Sequence, residues 1–265
     1  MKTSILNANI SYSQFWSKGS LVVRAGQLTS AFGSFLLRYD PATNPLTGIP
    51  AGYGYYAGGV DIQGLAGAQV DGTIGSLDMR AQLTTSSPAN PRSVFDKDQY
   101  ANWTGGVGYT IRQGFRVGVS AYRGPYLDRQ FPYYFPGEAP PRDLPATGYG
   151  LDVQWGRGPW NVYGELAHFQ MTYKAIPTFN QHTGYGEVRR VLNPRWYAAV
   201  RAGYLRPLGY EGSESYEMAA GFRPNARQLL KFGYTVEHYT PVGEVNHMVT
   251  IQFVTNFKAF GFAGR

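Results

Sequence analysis

The sequence predicts an all-β chain folded as an antiparallel up-and-down transmembrane β-barrel. Three observations carry that prediction. The chain divides into thirteen segments in which apolar and polar residues alternate, the period of a strand with two different faces. Most segments approach the ~9 to 11 residues that cross a bilayer at a tilt, whereas strands of soluble proteins cluster near ~5 to 6. The connections between them are short and long in strict turn, as in barrels with tight turns on the periplasmic side and longer external loops.

The first pair of segments, 4–16 and 21–29, is joined by the turn Ser17–Ser20. A long connection containing "SFLLRYDPATNPLTGIPAGYGYYAGG" leads to 64–71 and, past the turn Gly72–Gly75, to 76–85. In that segment Leu77, Met79, Ala81 and Leu83 alternate with Asp78, Arg80, Gln82 and Thr84. Segments 100–111 and 115–123 meet at Arg112–Gly114. Tyr109, Ile111, Phe115, Val117, Val119 and Ala121 share one face, and Gly108, Thr110, Arg116, Gly118, Ser120 and Tyr122 the other. Segment 147–156 sets Tyr149, Leu151, Val153 and Trp155 against Gly150, Asp152 and Gln154. Segment 160–173 follows the turn Arg157–Pro159, and "ELAHFQMTY" reads as a change of face near Ala167, which predicts a β-bulge there. Segments 182–191 and 195–205 flank Leu192–Pro194, and 215–223 and 228–238 flank Pro224–Arg227. In the last of these, Leu230, Phe232, Tyr234 and Val236 oppose Lys231, Gly233, Thr235 and Glu237. The closing segment, 245–257, sets Val249, Ile251, Phe253 and Phe257 against Thr250, Gln252 and Asn256. The barrel domain therefore runs over 1–257, with a tail at 258–265.

A soluble β-sandwich shares this alternation, but its strands cross between sheets and break the regular order of connections. Trp16, Trp103, Trp155, Trp160, Trp196 and Tyr204 recur near segment ends, where amphipathic rings sit at headgroup level. The apolar faces are thus expected to meet outer-membrane lipid and the polar faces a lumen. Barrels of this type have an even strand number; thirteen strands beginning with a downward one predict a C-terminal part of a barrel of fourteen or more, with imperfectly paired edges at 4–16 and 245–257.

Only 15% of the 265 residues are charged, while Gly (34) and Tyr (21) are abundant and Cys is absent. Disulfides and thiolate sites are thereby excluded. No apolar run reaches the ~18 to 20 residues of a transmembrane helix. The net charge of +7 concentrates at the short turns: Lys18, Arg112, Arg157, Arg190, Arg195, Arg223 and Arg227 against Asp71, or six of the seven excess charges. No helix, basic arm or stacking platform accompanies them, so nucleic acid is not an expected partner. They form either a solvated rim or a funnel for anions.

The polar faces place Arg24, Arg80, Arg116, Arg189, Arg201 and Lys231 in the lumen against Asp78, Asp152, Glu165, Glu187, Glu217 and Glu237. Such balance lacks the like-charged ring of a selectivity filter; it fits a transverse field or ladders of cross-strand ion pairs. The connection "RGPYLDRQFPYYFPGEAPPRDLPATGY" holds five Pro between Asp128 and Pro145, and its rings, Tyr126, Phe131, Tyr133, Tyr134 and Phe135, need cover. It either folds inward as a constriction, with Arg123, Arg129 and Arg142 contacting an anionic or sugar-like solute, or packs over the rim.

"VVRAGQLTSAFGSF" followed by "YDPATNPL", with the closing "QLLKFGYTVEH…HMVTIQFVTNF", resembles porin-type outer-membrane barrels and, more distantly, the phosphate-selective porins. The resemblance implies a bacterial outer-membrane channel for passive diffusion of small hydrophilic solutes. It also implies that the last strand is read by the barrel-assembly machinery through Phe257, although "KAFGFAGR" continues beyond that aromatic. The alternative is a non-conducting structural or adhesive barrel acting through its external loops. Assembly into a homo-oligomer stays open. Thr183 beside His182 in "NQHTGYGE" shows no third partner for nucleophilic catalysis, and His168, His238 and His247 form no metal pair along one strand. No enzyme, cofactor or metal is expected.

Overall fold

The computed structural model describes residues 8–39, 41–53, 65–85, 101–125, 137, 139–140, 143–175, 177–207, 212–240 and 242–256. Thirteen strands form one antiparallel sheet in sequence order: β1 (Ala8–Trp16), β2 (Gly19–Leu28), β3 (Leu65–Ile74), β4 (Leu77–Thr84), β5 (Asn102–Arg112), β6 (Phe115–Pro125), β7 (Pro145–Arg157), β8 (Trp160–Met171), β9 (Phe179–Val191), β10 (Trp196–Pro207), β11 (Gly212–Asn225), β12 (Gln228–Thr240) and β13 (Val245–Thr255). Each expected segment corresponds to one strand. The strands run farther into their hairpins than the turn residues imply; β3 reaches Ile74, and Gly75, at φ 60°, makes the reversal. Among the described residues each edge strand has a single neighbour, and no ladder joins β1 to β13. All nine residues of β1 are exposed. No described helix is long and apolar enough to cross a membrane.

The sheet has two unlike faces. Tyr149 and Leu151 are 61% and 58% exposed, whereas Asp152 between strands of the opposite face is 5% exposed. Val107, Val119, Leu166, Val200, Met218 and Ile251 continue the exposed apolar surface around the sheet. Burial is therefore inverted relative to a soluble domain, where large apolar groups turn inward. Trp196 and Phe222 are tilted rings 4.6 Å apart and Arg190 lies 4.9 Å over Trp160 at the short-turn end; Tyr149, Tyr204 and Tyr216 sit toward the long-loop end. On β10, Trp196 and Tyr204 are eight residues apart, roughly 26 Å along the strand, enough for a tilted strand to cross the apolar band of a barrel.

The bulge expected near Ala167 is absent. Pairing of β7 with β8 is continuous from Arg157↔Trp160 to Ala146↔Met171, and β8 with β9 from Trp160↔Arg190 to Met171↔Phe179. Ala167, Phe169 and Met171 stay on the inner face; that face becomes apolar there because it receives Phe32. The register irregularities lie instead between Thr110 and Arg112 and between Phe222 and Asn225. Asp71, beside the expected turn, lies within β3 and forms an ion pair with Arg24 of β2.

The core occupies the inside of the sheet. Phe32 joins Tyr122, Ala146, Phe169 and Met171; Phe35 and Leu36 join Tyr53 and Tyr185; Leu46 joins Tyr197, Ala199, Ala219 and Leu229. In each group, residues of the connection between β2 and β3 meet residues of the wall. That connection, with 3-10 turns at Leu36–Arg38 and Ala51–Tyr53, is folded inward.

Candidate functional site: an inward segment pinned to the inner wall

Residues 29–39 and 41–53 cross the interior and are held by polar wall groups in sequence. At β4, Gln82 donates to the Thr29 carbonyl at 2.6 Å and accepts from the Ala31 amide at 3.1 Å. At β6, Ser120 Oγ accepts the Gly33 amide at 3.1 Å, while Arg80 donates to the Gly33 carbonyl. At β8, the Glu165 carboxylate accepts the Ser34 and Phe35 amides, each at 3.3 Å, and the Tyr53 hydroxyl. Gly33 takes φ 67°, and a Cβ there would collide with Glu165 and Tyr53. Only glycine meets both demands.

The segment then reaches β9 to β12. Arg38 donates to Glu187 at 3.0 Å and to the Tyr185 hydroxyl at 3.1 Å, with its guanidinium 3.8 Å over the Tyr163 ring. Glu217 Oε1 accepts the Thr47 and Gly48 amides, both at 2.8 Å, and its Oε2 accepts from Arg201 at 2.5 Å. Lys231, fully buried, donates to the Asn44 and Leu46 carbonyls at 2.9 and 3.1 Å. The Tyr197 hydroxyl donates to the Pro45 carbonyl at 3.0 Å. Backbone groups that leave a sheet for a low-dielectric interior need partners, and here charged wall side chains supply them.

All twelve residues expected on the polar face, Arg24, Asp78, Arg80, Arg116, Asp152, Glu165, Glu187, Arg189, Arg201, Glu217, Lys231 and Glu237, lie on the inner face by register. They divide into two sets. Arg80, Asp152, Glu165, Glu187, Arg201, Glu217 and Lys231 are buried, and all but Asp152 bond the inward segment or an ion-pair partner that does. Arg24, Asp78, Arg116, Arg189 and Glu237 keep partial exposure. Arg116 bridges Asp78 at 2.6 Å and Asp152 at 2.5 Å, and borders a cavity of about 220 Å³ with Gln154, Asn161 and Tyr163. On β1 to β3 and β13 the inner face keeps exposed or half-exposed polar groups, among them Ser11, Ser13, Arg24, Asp71 and Thr250.

One residue expected at a constriction is placed differently. Arg123 alternates with Tyr122 and pairs across the strands with Trp103 and Thr147, so it faces outward and is exposed. Tyr126, Arg129, Tyr133, Tyr134 and Arg142 lie outside the described residues, as do Phe257 and the tail 258–265. Sequence reasoning missed the segment 29–53, Arg38 included. Its available signal was the cluster Phe32, Phe35, Leu36 and Leu46 among Gly and Pro in a connection too apolar for an exposed loop.

His182 and Thr183 point to opposite faces of β9. His182 lies against His168 outside, with tilted rings whose centroids are 4.6 Å apart, while Thr183 is buried inside and donates to the Tyr204 carbonyl. Among the described residues no group of three or more His, Asp or Glu side chains could hold a metal ion.

No family model and no curated protein matches the sequence. The fold does have likenesses among solved structures. An anion-selective porin from Comamonas acidovorans superposes with TM-score 0.66 at 11% identity, over 91% of this chain and 78% of that one. OmpT, an outer-membrane protein of Vibrio cholerae, folded in vitro, superposes with TM-score 0.61 at 9% identity, over 93% and 84%. Its variant lacking loop L8 gives 0.59 at 8%, over 91% and 77%. At these identities the likeness is one of fold: a distant, porin-like outer-membrane β-barrel.

Proposed function

We propose that this chain forms a porin-like channel in the bacterial outer membrane, through which small hydrophilic solutes diffuse passively. The observation that carries the reading is the asymmetric lining of the interior. Residues 29–39 and 41–53 are pinned along β4 to β12, while the inner faces of β1 to β3 and β13 keep exposed or half-exposed polar groups such as Ser11, Ser13 and Asp71. A segment fixed on one side narrows a lumen without having to fill it. Its apolar residues face the wall, so the passage it borders is left to polar groups, which suits hydrated solutes.

Planar-bilayer recording of the refolded protein tests this. The expected result is step-like ion conductance, with sugar-driven swelling of proteoliposomes in parallel. A barrel that folds, by heat-modifiable electrophoretic migration, yet passes neither ions nor sugars would overturn the reading in favour of a structural barrel acting through its external loops.

A further inference from the structure

The charges of the inner face are unequally distributed. On β2 to β8, Arg24, Arg80 and Arg116 stand against Asp71, Asp78, Asp152 and Glu165, and three minus four leaves one negative charge. On β9 to β12, Arg189, Arg201, Arg223 and Lys231, with Arg38 of the inward segment, stand against Glu187, Glu217 and Glu237, and five minus three leaves two positive charges. Glu187 and Glu217 are already bonded to Arg38 and Arg201. Arg189 and Arg223, both half-buried, have no carboxylate of a described residue within ion-pair distance.

These two cations share one neighbour. The guanidinium of Arg189 lies 4.8 Å from the centre of the Tyr197 ring, and the Arg223 amide donates to the Arg195 carbonyl at 2.8 Å, which continues the β10–β11 ladder two residues past the Tyr197–Gly221 pair. Tyr197 pairs with Gly221, where a Cβ would collide with its ring, so the ring lies over the glycine. Its hydroxyl is committed to Pro45, which locks the ring in place. Arg189 is two residues nearer the long loops than Val191, the cross-strand partner of Tyr197, and Arg223 is two residues nearer the short turns than Gly221. Arg189, opposite Ala199, and Arg223, bonded through its amide to the Arg195 carbonyl, therefore sit on either side of Tyr197 along the wall, and among the described residues Arg189 Nε is buried without a partner.

Resting on the channel reading, we propose that Arg189 and Arg223, on either side of Tyr197, form an anion-binding station inside the lumen on the short-turn side of the inward segment. It would take the carboxylate or phosphate group of a small solute. Guanidinium forks match the two oxygens of such groups, and a narrow low-dielectric wall strengthens the attraction.

The test compares wild type with R189Q/R223Q and R189K/R223K in planar bilayers under a potassium chloride gradient, with inorganic phosphate as probe. R112Q/R157Q, at the short-turn ends of β5 and β7 in the other wall, is the control, and heat-modifiable migration verifies folding. In wild type the reversal potential lies toward chloride, and millimolar phosphate lowers the chloride current. R189Q/R223Q reduces the chloride-to-potassium permeability ratio at least threefold and abolishes the phosphate effect. R189K/R223K keeps the ratio but weakens the phosphate effect. An unchanged ratio and unchanged phosphate effect in R189Q/R223Q, or an equal shift in the control, would overturn the station while leaving the channel intact. If wild type does not conduct, the channel reading fails by itself. Broadening of the phosphorus resonance of inorganic phosphate by the detergent-solubilised barrel then decides the station: loss of broadening in R189Q/R223Q supports it, and equal broadening refutes it.

Discussion

Gly33 lies so close to Glu165 that no side-chain carbon fits between them, and its φ of 67° is one that other residues adopt at a cost. The two residues are 132 positions apart, yet the Glu165 carboxylate accepts the two amides that follow Gly33. Gly33→Ala is expected to destabilise the barrel by about 2 kcal/mol through strain and displacement of that carboxylate. Urea unfolding in lipid vesicles measures this; an unchanged midpoint would show that the segment does not enter along this path.

Glu217 holds the second half of the segment. Glu217→Ala removes the acceptor for Thr47 and Gly48 and leaves Arg201 with Glu187 alone. Breaking one side of such a buried pair costs about 3 kcal/mol, so the segment should loosen while the sheet persists. Single-channel conductance is expected to rise and protease to cut between Asn44 and Gly48 sooner than in wild type. Wild-type conductance together with wild-type resistance would contradict the pinning role.

Phe32 and Phe169 are tilted rings 5.1 Å apart inside the wall. Truncating either to Ala should cost about 3 kcal/mol by opening a cavity. The double variant should cost less than the sum, with a coupling of about 1 kcal/mol. Additive losses in a double-mutant cycle would place the rings out of contact.

The two faces of β7 should respond oppositely to charge. Leu151 is 58% exposed on the apolar side, so Leu151→Arg is expected to cost about 2 to 4 kcal/mol in a bilayer. Gln154, on the inner face beside Arg116, should accept Arg with far smaller loss. The same outward surface is expected to make the wild type insoluble without detergent. Equal costs at both positions, or a monodisperse detergent-free monomer, would mean that the apolar face does not meet lipid.

The thirteen strands, their order and their two faces were legible in the sequence because each depends on neighbours within about ten residues. Alternation places Leu151 and Asp152 on opposite sides wherever the strand goes, and turns such as the one at Gly75 announce the hairpins. The apparent slip at Ala167 shows the edge of that reasoning: Phe169 and Met171 break the polar pattern for the sake of Phe32, a residue from another part of the chain.

What tertiary structure alone decided is which connection enters the lumen and what the wall charges do there. As a local pattern, Glu165, Glu187, Glu217 and Lys231 are polar residues alternating with apolar ones, the same as any water-facing set. Their partners at Ser34, Phe35, Arg38, Asn44, Leu46 and Thr47 are 130 to 187 residues away along the chain. Only closing those distances in space turns lumen charges into anchors for an inward backbone. The same closure engages Glu187 and Glu217, and among the described residues it leaves Arg189 and Arg223, beside Tyr197, without a carboxylate in ion-pair distance.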